Sequence, residues 1–287
     1  MVESGIICKK ALLQHYQSLG DSFYCLFDVL SFPPFSLYRR NISDSEFSII
    51  STDKSNNTKQ AISSKSDLMP GVYEGGLKTW ECSLDLAKYL VSIADMVKDK
   101  AIFEVGCGSG IPGIVAAKLG CKSVDFQDFN KEVVENVTFC NLSANLCKQV
   151  SEEELATLHN SMIDLELNFS HLQSSKVDFS LFYGDWNSLL HIIPTLRYDL
   201  ILTSETIYCP SNYAALIQLF DSSLSLNAEA MILVAAKKFY FGLDGSILTF
   251  KQFIEADGRF EWKTCWSMES GVSREIISLS RSQSFQK

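Results

Sequence analysis

From Val72 onward the chain alternates short continuous apolar runs with stretches of helical apolar spacing. Ser83 can cap a helix reaching about Val97, with Leu84, Ala87, Val91 and Ala94 on one face. Ala101 to Val105 predicts a short strand that runs into a glycine loop. Pro112 to Leu119 predicts a helix, with proline at its start and Gly120 past its end. Ser123 to Gln127 is a second strand, and Lys131 to Leu146 a helix burying Val134, Val137 and Ala144. Third and fourth strands fall at Phe179 to Tyr183 and Leu200 to Thr203, followed by a helix at Tyr213 to Phe220. A fifth strand, Ala230 to Ala235, is apolar throughout, as central parallel strands are. Two more are expected near Phe260 to Thr264 and Ile276 to Leu279. This alternation implies an α/β, Rossmann-like, doubly wound sheet with helices on both faces. Ligands then sit beyond the carboxyl ends of its strands.

The first 69 residues break this rhythm and read as an N-terminal extension. Lys9 to Leu30 has room for a short helix, while Asn41 to Ser66, rich in Ser, Asn, Asp and Lys, reads as flexible. Pro70-Gly71 marks the boundary, with one domain over residues 70–287. Cys147 to Lys176 reads as a polar insertion, and Ser151-Glu152-Glu153-Glu154 resembles the capping-box start of a helix within it.

Composition narrows the class. Hydrophobic residues make up 46% and charged residues 21% of 287, as in a globular α/β protein. No run approaches the ~20 apolar residues of a membrane span, and Met1 to Gly20 lacks the pattern of a secretory signal. Nine cysteines lie scattered without a C-x-x-C pair, which points to reduced, buried thiols in cytoplasm or nucleus, and away from disulfides or a metal site. A net charge of -9 disfavours phosphate-driven nucleic-acid binding and suits a small molecule or a basic protein as partner. No membrane partner is expected, and a monomer is.

The candidate chemistry lies at the strand ends. Glu104-Val105-Gly106-Cys107-Gly108-Ser109-Gly110 carries three glycines at alternate positions, which permits a sharp turn and close approach of a ligand. Gly108 to Gly113 also fits the dinucleotide template G-x-G-x-x-G, with Asp128 standing 20 residues after Gly108, so a nicotinamide oxidoreductase is a rival. Against it, the register starts two residues late, and Glu104 would repel a pyrophosphate. A carboxylate there suits a ligand bearing an ammonium group, or simply orients loop amides. Asp128, Phe129 and Asn130 end the second strand, where a carboxylate can hold a ribose diol; the bland alternative is a helix cap. Gly184-Asp185-Trp186 can flank an adenine, or form a turn with a packed Trp. Ser204-Glu205-Thr206-Ile207-Tyr208 ends the fourth strand, with Glu205 and Tyr208 spaced to face the same pocket, or to serve as a cap and a packed ring. His15, His159, His171 and His191 lie outside all these runs and read as surface or helix residues.

Together with Tyr73-Glu74-Gly75-Gly76-Leu77-Lys78-Thr79-Trp80-Glu81-Cys82 and Ala235-Ala236-Lys237-Lys238-Phe239-Tyr240-Phe241-Gly242, these runs resemble the histidine protein methyltransferases. That family is a branch of the seven-strand S-adenosylmethionine-dependent class, close to the protein-lysine methyltransferases. The resemblance runs from about Val72 to the C-terminus. It implies that Thr79, Trp80, Glu81, Cys82 and Ser83 line the methionyl side of the cofactor, near Glu104, and that Gly106 and Gly108 touch it through the backbone. It further implies that Asp128, Phe129 and Asn130 hold ribose and adenine, that Gly184, Asp185 and Trp186 flank the adenine, and that Ser204 lies near the sulfonium. The implied activity is methylation of one histidine, on the nitrogen far from the main chain, in a large-subunit ribosomal protein. The lysine enzymes carry Asp-x-x-Tyr where this chain has Glu205 and Tyr208, a departure that weakens a lysine acceptor without removing it. Glu205 is the candidate to hold the imidazole N–H, with a backbone carbonyl as its rival, and Tyr208 to orient the ring.

Overall fold

A computed structural model describes residues 4–8, 22–52, 57–146, 161–168 and 177–282. Its strands, in chain order, are β1 (Gly5–Cys8), β2 (Ser22–Phe32), β3 (Phe35–Arg40), β4 (Ala101–Val105), β5 (Ser123–Asp128), β6 (Met162–Asn168), β7 (Ser180–Tyr183), β8 (Leu200–Ser204), β9 (Met231–Lys237), β10 (Phe260–Met268) and β11 (Arg274–Arg281). Eight of them form one sheet in the order β1-β7-β5-β4-β8-β9-β11-β10, and β3-β2-β6 form a second. Strands β7, β5, β4, β8 and β9 run parallel, whereas β11 enters antiparallel between β9 and β10. This reversed last hairpin separates the sheet from the all-parallel dinucleotide fold.

The apolar strand runs place side chains on both faces, with the period of two that a pleated strand imposes. Ile102, Leu200, Leu202, Leu233 and Ala235 point into one core. Phe103, Val105, Ile201, Ile232 and Val234 point into the other. Helices Glu81–Ser92 and Ile111–Lys118 cover the first face, and helices Tyr213–Ser223 and Ile247–Asp257 the second.

Sequence and structure part company at the edges of this frame. The described part of the helix expected between Lys9 and Leu30 is strand β2, because Cys25, Phe27 and Val29 alternate into the first core. The stretch expected to be flexible holds helices Ile42–Thr52 and Asn57–Ser64, whose buried Ile49 and Ala61 anchor otherwise polar segments. The described part of the insertion is β6, paired with β2; the helix expected at Ser151 lies outside the described residues. The first helix of the domain starts at Glu81 with Trp80 as N-cap, so Ser83 is a buried helical residue rather than the cap.

The extension is knitted to the main sheet. Strand β1 pairs antiparallel with β7. The free edge of β3 is paired by two asparagines on the helix over residues 131–146. Tyr38 N–H donates to Asn145 Oδ1 at 2.9 Å, Asn145 Nδ2 returns to the Tyr38 carbonyl at 2.7 Å, and Arg40 N–H donates to Asn141 Oδ1 at 2.6 Å. Asn141 Nδ2 also donates to the Ser109 carbonyl at 2.8 Å, which connects the extension to the glycine loop. That helix widens into a π turn at Val134–Thr138, from which Thr138 Oγ1 donates to the Gly108 carbonyl at 2.7 Å.

Candidate functional site

The loops after β4, β5, β7 and β8 converge on a cavity of about 410 Å³ beyond the carboxyl ends of the strands, roofed by residues 68–83. It lies where the strand order reverses, the usual ligand position in such sheets. Gly106, Gly108 and Gly110 all have left-handed φ, of +63°, +49° and +69°. Close approach also demands glycine: a Cβ on Gly106 would meet Thr206 Cγ2 at 2.4 Å, and one on Gly108 the Gly76 carbonyl oxygen at 3.2 Å.

The loop amides face inward. Gly106 N–H donates to Gln127 Oε1 at 3.1 Å and Gly108 N–H to Asp128 Oδ2 at 2.8 Å. Cys107 N–H reaches the Gln127 carbonyl and Gly110 N–H the Cys107 carbonyl. Even the helix N-terminus is taken, because Gly113 N–H donates to Glu104 Oε2 at 2.7 Å. A phosphate-binding loop needs such donors free. The nicotinamide rival therefore fails on the donor set, while the loop keeps a carboxylate beneath it. Glu104 is 1% exposed, its Oε1 has no partner, and burial pushes its carboxyl up to about 8.

Gln127 ties three runs together. Its Oε1 also accepts from Trp186 Nε1 at 3.0 Å, and its Nε2 donates to the Gly184 carbonyl at 3.0 Å. Asp128 accepts from Gly108 and, through Oδ1, from Asn130 N–H at 3.1 Å. Burial, partly offset by these bonds and reinforced by nearby Glu74, pushes its carboxyl up to about 6.

The fourth strand ends on a left-handed residue, Glu205, with φ +58°. A non-glycine residue in that region carries backbone strain. Its carboxylate is 3.5 Å from Lys237 Nζ, and Cys82 N–H points at it from 3.5 Å. Lys237 also reaches Glu81 at 3.1 Å and lies over the Trp80 ring at 5.1 Å. Burial opposes the lysine charge, but Glu205 and Glu81 outweigh it and raise its pKa. Three residues on, Tyr208 donates its hydroxyl proton to Glu74 Oε2.

Of the residues singled out in the sequence, Trp80, Ser83, Gly106, Gly108, Asp128, Phe129, Asp185, Trp186, Ser204, Glu205 and Tyr208 line the cavity. The lining does not include Thr79, Glu81, Cys82, Glu104, Asn130 or Gly184. Glu81 is exposed and paired with Lys237, and Cys82 is buried behind Glu205. Asn130 clamps the roof, accepting from Glu74 N–H at 3.1 Å and donating to the Val72 carbonyl at 2.9 Å. Asp185 lines the cavity and also caps helix Trp186–Leu189 through Ser188 N–H at 3.1 Å. His191 is exposed, and the other three histidines lie outside the described residues. Glu74, Gln127 and Lys237 stand inside the quoted runs, but their partners are too distant in sequence for spacing to reveal the pairing.

The reversed hairpin, the switch-point cavity and the glycine loop with its inward amides define a seven-strand methyltransferase fold. A sequence profile of the family described as Lysine methyltransferase matches residues 60–242, and the chain belongs to that family. Two similar relatives are the Histidine protein methyltransferase 1 homologs of Bos taurus and Rattus norvegicus. They are 38% identical over 230 residues and 36% over 228, matching 77% and 78% of this chain and 59% and 61% of theirs. A protein-lysine N-methyltransferase of Chaetomium thermophilum is 28% identical over 185 residues, 64% of this chain and 47% of that one. The chain thus spans about three fifths of the length of the histidine relatives. S-adenosyl-L-methionine is the methyl donor of this class. Among the described residues Ser83 Oγ, on the cavity wall, and Glu104 Oε1, beneath the glycine loop, are buried without a hydrogen-bond partner, and the first fits a polar ligand in the cavity.

Proposed function

We propose that the chain is a protein-histidine N-methyltransferase acting on the tele nitrogen of one histidine in a protein substrate. The carrying observation is the Glu205–Lys237 pair. In the lysine enzymes the resemblance places an aspartate at this position, where it can meet a cationic acceptor. Here a built-in lysine already occupies the carboxylate at 3.5 Å. A second ammonium would be repelled, whereas a neutral imidazole would not. The names of the similar mammalian proteins agree with this reading.

Bound S-adenosyl-L-methionine supplies a methyl group on a sulfonium. The chain's own task is to position the acceptor against it, since no covalent enzyme intermediate is needed. A histidine with an ordinary pKa of ~6.5 is mostly neutral at pH 7, so no strong base is required. Gly106 and Gly108 give backbone clearance. Asp128, with both oxygens fixed by amides, keeps lone pairs for a ribose diol. Trp186, held by Gln127, offers a ring face to the base. The substrate we favour is a large-subunit ribosomal protein, encountered in cytoplasm or nucleus, because the acidic chain attracts a basic partner.

The test is incubation of the protein with isotopically labelled S-adenosyl-L-methionine and purified ribosomal proteins, followed by mass-spectrometric mapping. Label on a histidine Nε2 is expected. Label on lysine, with none on histidine, would overturn the proposal.

A further inference from the structure

We infer that Glu74 is a positioning residue for the methyl acceptor, locking Tyr208 as a hydrogen-bond acceptor that selects one imidazole tautomer. This deepens the histidine reading and rests on it. Both residues line the cavity, Glu74 from the roof and Tyr208 from the loop after β8. The Tyr208 proton is directed at Glu74 Oε2, and Glu74 Oε1 is itself fixed by the Gly71 N–H at 2.6 Å. Tyr208 is held from behind as well. Gly245 N–H donates to its carbonyl at 2.9 Å, and its ring meets Tyr240 edge-on at 6.4 Å between centroids.

A tyrosine hydroxyl has one proton and two lone pairs. With its proton committed to Glu74, Tyr208 presents only lone pairs to the cavity. Burial and the neighbouring Glu74 charge raise its pKa, so the resting group is a neutral phenol rather than a phenolate. The group it can receive is an N–H. An imidazole that gives its Nδ1–H to Tyr208 carries a free lone pair on Nε2, the nitrogen far from the main chain. Glu205 is less able to do this. Its side chain is 7% exposed and already faces Lys237 and the Cys82 amide.

The electron count closes through this pair. The Nε2 lone pair forms the new N–C bond, and the electrons of the broken C–S bond return to sulfur. The ring becomes cationic, its Nδ1–H becomes more acidic, and the charge on Glu74 stabilises it through the Tyr208 oxygen. The Nδ1 proton then leaves to Tyr208 as the phenol proton passes to Glu74 and on to water.

The experiment compares the wild-type chain with E74Q, Y208F and the double variant, on the protein acceptor that the wild type methylates. S-adenosylhomocysteine binding serves as the fold check. E74Q keeps the shape, but its amide can donate to Tyr208 and turn the hydroxyl proton towards the cavity. Expected for E74Q is a kcat lower by about 10- to 100-fold, the range of a hydrogen bond to a charged group, with KM and cofactor Kd changed less than threefold. Y208F should lose a similar factor, and the double variant no more than the worse single. Unchanged kcat in E74Q, or losses that multiply, would overturn the assignment alone. Should E74Q fail to bind cofactor, Y208F decides, and full kcat there refutes it. Methylation of lysine by the wild type would overturn the histidine reading first, and this assignment with it.

Discussion

Replacing Gln127 by leucine tests whether one buried amide organises the cofactor wall. The volume is nearly conserved, so the change removes hydrogen bonds rather than packing. Gln127 is fully buried, and the substitution strands Gly106 N–H, the Trp186 indole N–H and the Gly184 carbonyl. An orphaned group in a dry interior costs about 1–3 kcal/mol. Gly106 and Trp186 border the cavity and can recover part of this from water, while Gly184 is buried. The sum is about 2–4 kcal/mol, a large share of the ~5–15 kcal/mol of a typical domain. S-adenosylhomocysteine affinity should fall at least about tenfold, which is ~1.4 kcal/mol, because the glycine loop and the Trp186 ring lose their common anchor. Urea unfolding followed by tryptophan fluorescence reads the first quantity, and calorimetric titration the second. Gln127→Glu sharpens the test, since it keeps the acceptor for Gly106 and Trp186 but sets an oxygen against the Gly184 carbonyl. A leucine variant with the wild-type urea midpoint and wild-type affinity would refute the argument.

Two further outcomes follow from buried charge. Burial holds the Glu104 carboxyl near 8 against an ordinary 4.5, so the folded chain keeps a proton that the unfolded chain has lost. Stability contributed by this group therefore falls as pH rises from about 4.5 to 8, and Glu104→Gln should flatten that slope in urea midpoints across the range. An unchanged slope would show that Glu104 does not carry it. Arg40, 4% exposed, donates to Asp44 at 2.9 Å, Ser48 at 2.6 Å and the Asn136 carbonyl, with Cys140 Sγ at 3.3 Å. Arg40→Ala should lower stability by roughly 1.5–3 kcal/mol, the range of hydrogen bonds to a charged group, because Asp44 stays partly open to water, and should loosen the extension from the helix over residues 131–146. A loss below about 1 kcal/mol in urea unfolding, typical of an exposed pair, would contradict this placement.

Local sequence determined the alternating frame. Continuous apolar runs such as Ile201 to Leu202 and Ile232 to Val234 suit strands covered on both faces, and three alternate glycines after Glu104 permit a tight turn that a ligand can approach. The strand-end residues Asp128, Ser204 and Tyr208 were legible as cavity-lining for the same reason: parallel strands deliver their carboxyl ends to one edge. Tertiary structure alone decided what those residues are bonded to. Glu74 and Tyr208 are 134 positions apart, Gln127 and Trp186 59, Tyr38 and Asn145 107, and no periodicity carries information over such distances. Lys9 to Leu30 read as room for a helix and Asn41 to Ser66 as flexible, yet alternate Cys25, Phe27 and Val29 bury a strand, and Ile49 and Ala61 anchor two polar helices, once the rest of the chain supplies faces to cover. Helical and strand periods are local properties of the backbone, whereas partners for buried charges and free strand edges exist only after the chain has closed on itself.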